Sequence, residues 1–145
     1  MLYFAYGSNM SHSQMKERCP GSRFLKAVRL DGYRFVYDGY SVARKGPVAN
    51  IVPSEVDHVL GALYEITEKD KLDLDASEGY PRTYGRKTVE VRDEEGNVHA
   101  AWTYFRTGRG LGKPHPDYEK AVLQGAADCR LPDEYIERFL RVTRL

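Results

Sequence analysis

Two short segments of the 145-residue chain carry side chains suited to chemistry. The first is Tyr6-Gly7-Ser8-Asn9, placed between an aromatic-rich apolar run, Leu2 to Tyr6, and a polar stretch that opens at Ser11. Glycine at a strand end permits a tight or left-handed turn. The N–H groups that follow then gather near the positive end of a helix, where they take up a carboxylate or a developing oxyanion. Ser8 has the hydroxyl of a nucleophile, but no histidine is placed to be read as its base. The second segment holds Asp73, Asp75 and Glu78 where a helix runs out into Gly79-Tyr80-Pro81. That turn fixes Glu78 on rigid backbone. Desolvation by Tyr80 and Tyr84 raises its pKa toward neutrality, the property a general base needs.

Other candidates are weaker. His12, His58, His99 and His115 are scattered, with no pair four residues apart, whereas zinc needs three or four converging ligands. No metal is expected. The run Gly108-Arg109-Gly110-Leu111-Gly112-Lys113 has the look of a phosphate cradle, but Thr107 stands where a Walker loop needs glycine, and Pro114 where it needs Ser or Thr. A flap over a pocket, or a plain surface loop, fits it better. Cys19 and Cys129 lack C-x-x-C partners and point to a reduced, cytoplasmic setting.

The elements that must position these residues follow from pattern. Leu2 to Tyr6 reads as a strand ended by Gly7, and Ser11 to Cys19 as a helix capped by Asn9 or Ser11. Arg23 to Asp38 alternates around an Asp31-Gly32 turn, and Ala49 to Val52 and Val59 to Ile66 read as two further strands. Thr67 caps a helix through Leu74, with Asp70 completing a capping box. Tyr84 to Arg92 and Val98 to Thr107 alternate across Asp93–Asn97 as a hairpin. A helix over Asp117 to Ala127 follows, then one starting at Pro132. Strands dominate the first two thirds, which makes the class α+β, with an antiparallel or mixed sheet curled into a small barrel.

Size and charge narrow the function. One domain over residues 1–145 is expected, large enough to bury about 68–70% of its unfolded surface. With 22 Lys+Arg against 21 Asp+Glu there is no basic excess for nucleic acid. The apolar runs are far short of the roughly 18 residues of a membrane span. No basic n-region precedes an apolar stretch, so no secretory signal is expected. Eleven tyrosines, some of them exposed, allow a homodimer.

Tyr3-Phe4-Ala5-Tyr6-Gly7-Ser8-Asn9-Met10 resembles the YGSN signature of the gamma-glutamylcyclotransferase-like (AIG2-like) family. Leu72 to Gly79 resembles the family segment bearing its catalytic glutamate. Pro116-Asp117-Tyr118 through Gly125-Ala126, then Leu131 to Tyr135, makes a third match in the same order. The resemblance implies a small mixed β-barrel flanked by short helices, and release of 5-oxoproline from a gamma-glutamyl amino acid, peptide or amine, with no cofactor. It makes Glu78 the acid/base. Tyr6, Gly7, Ser8, Asn9, Tyr84 and Tyr118 are then the substrate-binding residues. Ser8-Asn9 favours the amino-acid or peptide branch. Leaving-group choice falls to the loops Gly39 to Pro47 and Arg106 to His115, while Arg82 and Arg86 are either carboxylate contacts or solvated strand residues. The alternative is a non-catalytic small-molecule binding module that kept the pocket.

Overall fold

The computed structural model describes residues 1–82, 84–106 and 110–143. Five strands close into a barrel in the order β1-β3-β2-β4-β5. They are β1 (Leu2–Ala5), β2 (Arg23–Ser41), β3 (Gly46–Glu65), β4 (Gly85–Arg92) and β5 (Val98–Phe105). All neighbours are antiparallel except β1 and β5, which meet in parallel at Tyr3 and Trp102. Four helices flank the barrel: α1 (His12–Arg18), α2 (Glu68–Glu78), α3 (Pro116–Asp128) and α4 (Asp133–Tyr135), the last continuing as a π-helical turn over Ile136–Leu140. The architecture is the expected α+β barrel. Phe4, Leu63, Tyr64, Val59, Val91 and Leu74 are fully buried at its centre.

Two expected breaks are absent. Asp31-Gly32 is a bulge inside one long β2, with Gly32 at φ 85°, and Ala49 to Val52 runs on through Pro53 to Val59 as a single β3. Asp31 pairs with His58 and Tyr33 with Pro53, so the extra residues of β3 bulge out without ending the ladder. Pro132 caps α4 from outside and does not start it. A 3₁₀ turn over Ser8–Met10 precedes α1, whose cap is Ser11, its side chain accepting from the Gln14 N–H. The β4–β5 hairpin is as expected, although Thr107 lies outside the described residues.

Local chemistry explains the two helices that matter most. The Thr67–Asp70 capping box starts α2, and Asp70 also accepts from the Gly21 N–H, tying the helix to the α1–β2 corner. At its other end Gly79 takes the left-handed conformation (φ 72°). The Gly79 N–H donates to the Ala76 carbonyl and the Tyr80 N–H to that of Asp75. This pair of bonds is a Schellman ending. It extends α2 one turn beyond Leu74 and sets Glu78 on its last turn. In α3, a Cβ on Gly125 would lie 2.5 Å from the Ser11 nitrogen, so glycine there lets the helix press directly on the 3₁₀ turn.

Candidate active site

The turn after β1 and the end of α2 meet over the barrel mouth. Gly7, Ser8, Asn9 and Glu78 line one cavity of about 40 Å³ with Tyr3, Tyr6, Tyr84, Tyr104 and Tyr118. The acid/base and substrate-binding candidates read from the sequence, Glu78, Tyr6, Gly7, Ser8, Asn9, Tyr84 and Tyr118, therefore reach the same cavity. Gly7 is not left-handed (φ −113°, ψ −138°). Its glycine serves space: a Cβ would stand 2.9 Å from that of Ala49 and 3.3 Å from the Tyr118 hydroxyl. The N–H groups of Gly7, Ser8 and Asn9 precede the first internal bond of the 3₁₀ turn, Met10 N–H to Gly7 carbonyl, and have no partner within it.

Asn9 is the organising side chain. Its Oδ1 accepts from Gln14 Nε2 and Arg18 Nη1, both at 2.9 Å, which fixes the amide so that Nδ2 donates to Glu78 Oε1 (3.2 Å) and the Tyr3 hydroxyl (3.0 Å). The Tyr64 hydroxyl pins the turn beneath by donating to the carbonyls of Asn9 and Met10. Arg18 Nη1 lies 3.6 Å from Glu78 Oε1. Glu78 Oε2 has no hydrogen-bond or ion-pair partner among the described residues. Burial pushes the Glu78 carboxyl above the usual range, against the pull of Arg18, Asn9, Arg44 and Arg106. A carboxyl with one unengaged oxygen and a raised pKa can take and return a proton.

The tyrosines divide by what their hydroxyls do. Tyr6 donates to the Tyr104 carbonyl at 2.7 Å, and Tyr84 to the Ala49 carbonyl at 3.0 Å, so both are walls with committed hydroxyls. Tyr118 accepts from the Ala49 N–H at 3.1 Å and meets the Ser8 side chain. Burial pushes its phenol up to about 12, keeping it a neutral donor. Tyr104 donates to Asp75 Oδ1 at 2.6 Å.

Several expectations are corrected. The acidic cluster does not converge: Asp73 pairs with Lys69, and Asp75 with Arg86 and Tyr104, leaving Glu78 alone at the cavity. Tyr80 does not line the cavity; its ring lies under the Arg86 guanidinium, 4.0 Å away. Arg86 is thereby occupied, and Arg82 is exposed. Ser8 Oγ accepts from Gln14 Nε2, with no histidine nearby. His12 packs on Phe24, His58 on Tyr135, His99 meets Asp93, and His115 caps α3. No three His, Cys, Asp or Glu converge among the described residues. In the glycine-rich run, Gly108 and Arg109 lie outside the described residues, while the Gly112 N–H donates to the Tyr37 carbonyl.

The structure adds three arginines that were not singled out in the sequence, two of them inside the segments Gly39 to Pro47 and Arg106 to His115 expected to govern leaving-group choice. A wider chamber of about 260 Å³ adjoins the cavity, sharing Glu78, Tyr84 and Tyr118 and adding Arg18, Arg44 and Arg106. Nothing in the spacing of these arginines signals their meeting, since α1, the β2–β3 turn and the end of β5 bring them together through the barrel.

Comparison with known proteins identifies the family and the fold. The family model described as "AIG2-like family" matches residues 58–139. Gamma-glutamylcyclotransferases of Mus musculus and Homo sapiens are each 30% identical to the chain over 142 residues, covering 94% of it and 76% of the relative. A solved structure titled "Gamma-glutamyl cyclotransferase" superposes with a TM-score of 0.92 at 28% identity, covering all of this chain and 89% of that one. No described helix is long and apolar enough to cross a membrane. On the ordered motifs, the barrel and these matches, the chain belongs to the AIG2-like family.

Proposed function

We propose that this protein is a cyclotransferase that releases 5-oxoproline from a gamma-glutamyl compound, with Glu78 as general acid/base. The observation that carries the reading is Glu78, a carboxylate with one oxygen unpartnered among the described residues, in one cavity with the N–H groups of the 3₁₀ turn that have no partner within it. Family membership and the gamma-glutamylcyclotransferase relatives support the reaction class.

In a gamma-glutamyl amide the nucleophile is the substrate's own α-amine. Glu78 removes a proton from the α-ammonium, and the freed lone pair attacks the γ-carbonyl carbon to close a five-membered ring. The carbonyl π electrons move to oxygen, giving a tetrahedral oxyanion. When it collapses, the bond to the leaving nitrogen breaks and Glu78 returns its proton to that amine. The second proton on the ring nitrogen is passed through solvent to the departing amine, leaving the neutral lactam and an ammonium. No external nucleophile is consumed. Holding the chain folded for attack contributes up to ~7–11 kcal/mol in favourable cases. A positioned base adds about 10²–10⁴-fold. Gly7, Ser8 and Asn9 offer N–H donors to the α-carboxylate or the oxyanion, where losing one donor typically costs ~10²–10³ in rate. Tyr118 donates from a hydroxyl that adjoins Gly7 and Ser8, and Tyr6 and Tyr84 shape the cavity.

The test is product identification across gamma-glutamyl amino acids, dipeptides and amines with the wild-type chain. The expected product is 5-oxoproline in a one-to-one ratio with free amine. Binding without 5-oxoproline from any of them would instead identify a small-molecule binding module that kept the pocket.

A further inference from the structure

The outer chamber carries an unbalanced charge. Several arginines elsewhere find carboxylates, as Arg23 does on Glu65, Arg29 on Asp31, Arg86 on Asp75 and Arg138 on Asp57, and Arg82, Arg92 and Arg130, which have no ion pair among the described residues, are exposed. Arg44 and Arg106 have no ion pair among the described residues, although both are half-buried beside the cavity. Each is held in place. The Arg44 guanidinium lies 5.2 Å above the Tyr118 ring and donates to Gln14 Oε1 at 2.9 Å. That of Arg106 lies 4.9 Å over the Tyr84 ring and donates to the Tyr40 carbonyl at 2.8 Å, with its Nε–H buried and without an acceptor among the described residues. Behind Arg106, the buried amide of Asn50 clamps that residue's backbone, Oδ1 accepting its N–H at 3.0 Å and Nδ2 donating to its carbonyl at 2.8 Å.

These heads are fixed before any ligand arrives, and they stand on the two tyrosines that line both the inner and the outer space. Glu78 sits at the same junction. A glutamyl group in the inner cavity therefore directs its departing nitrogen past Glu78 into the outer chamber. In a leaving amino acid, the carboxylate lies one carbon beyond that nitrogen. A simple amine has nothing there for a guanidinium to meet. Guanidinium is the side chain best matched to a planar carboxylate.

We propose that Arg44 and Arg106 form a carboxylate subsite for the departing group and are the residues by which this chain distinguishes gamma-glutamyl amino acids from gamma-glutamylamines. The assignment rests on the cyclisation reading of the inner cavity. It is tested with gamma-glutamyl-alanine and gamma-glutamylethylamine, which differ by that carboxylate alone. Wild-type kcat/KM is expected to favour the alanine compound by about tenfold to a hundredfold. In R44Q/R106Q the ratio of the two should fall to within about threefold of unity, and in R44K/R106K it should lie between. Both substrates meet the same enzyme preparation, so any loss of folded protein cancels in the ratio. Arg44→Gln alone, at a half-exposed turn position, gives the same reading if the double variant is poorly folded. A wild-type ratio near one, or a ratio unmoved by the substitutions, overturns the subsite while leaving the reaction intact. Absence of 5-oxoproline from both compounds overturns the reaction itself, and the subsite with it.

Discussion

Glu119, buried on α3, and Glu78, partly buried at the end of α2, are built in opposite ways. Glu119 lies near the start of α3, where the helix dipole favours an anion. It accepts from the N–H groups of Val142 and Thr143 and from the Thr143 hydroxyl. Burial alone would push its carboxyl up, but these three donors outweigh burial and hold it below the usual range. Glu78 closes α2, at the helix end whose partial charge disfavours an anion. One amide donor and one arginine at 3.6 Å reach a single oxygen, and burial wins. A buried carboxylate with a full set of donors is a structural clasp, here fastening the C-terminal segment to α3. One left short of donors is destabilised as an anion and available for proton transfer. Burial alone does not tell the two apart; the donors on each oxygen do.

The contrast can be broken most sharply by removing each charge. Glu78→Gln should lower 5-oxoproline release by about 10²–10⁴-fold, the usual worth of a general base. The same variant should be at least as stable as the wild type. The raised pKa means the folded protein holds the Glu78 proton more tightly than the unfolded chain does. Stability from this group is thus present at low pH and lost as pH rises from the ordinary glutamate range through the raised folded value. The gain in Tm of Glu78→Gln over wild type should accordingly grow with pH in thermal melts.

Glu119→Gln should do the reverse. Its cost to stability, about 1–3 kcal/mol from hydrogen bonds to a charged acceptor, should show at neutral pH. Because the folded pKa is depressed, that contribution is present above the unfolded value and fades as pH falls through the folded one. Denaturant melts at two pH values would show the sign, with kcat/KM on the folded fraction little altered. A smaller effect sharpens the account of Glu78: Arg18→Gln removes a charge that pulls its pKa down, so the acid limb of kcat/KM should move to higher pH. Movement to lower pH would mean that Arg18 acts on some other group. Smallest of all, Ser8→Ala should cost less than about tenfold, since the proposed donor is its backbone N–H and its hydroxyl is held by Gln14. Complete loss would revive a side-chain role.

Much of this was legible in local pattern. The Thr67 capping box, the hairpin around Asp93–Asn97 and the strand–turn–helix at Gly7 are set by neighbours in sequence, and they formed as read. What pattern missed is non-local. Gly32 and Pro53 look like strand ends, but pairing along nearly the whole of β2 and β3 absorbs both as bulges. Asp75 and Glu78 are adjacent on one helix, yet Tyr104 and Arg86 draw Asp75 away while Asn9 draws Glu78 inward. Arg44 and Arg106 are 62 positions apart and share a chamber only because the barrel closes.

The measurement that bears most directly on the central claim is a ¹³C NMR titration of the Glu78 carboxyl, run beside the pH dependence of kcat/KM. The account predicts that Glu78 titrates above the roughly 4.3 of an ordinary glutamate, and that activity rises with pH through the same midpoint as the base loses its proton. A Glu78 that titrates at or below the ordinary value, or an acid limb that does not follow it, would contradict its role as the base.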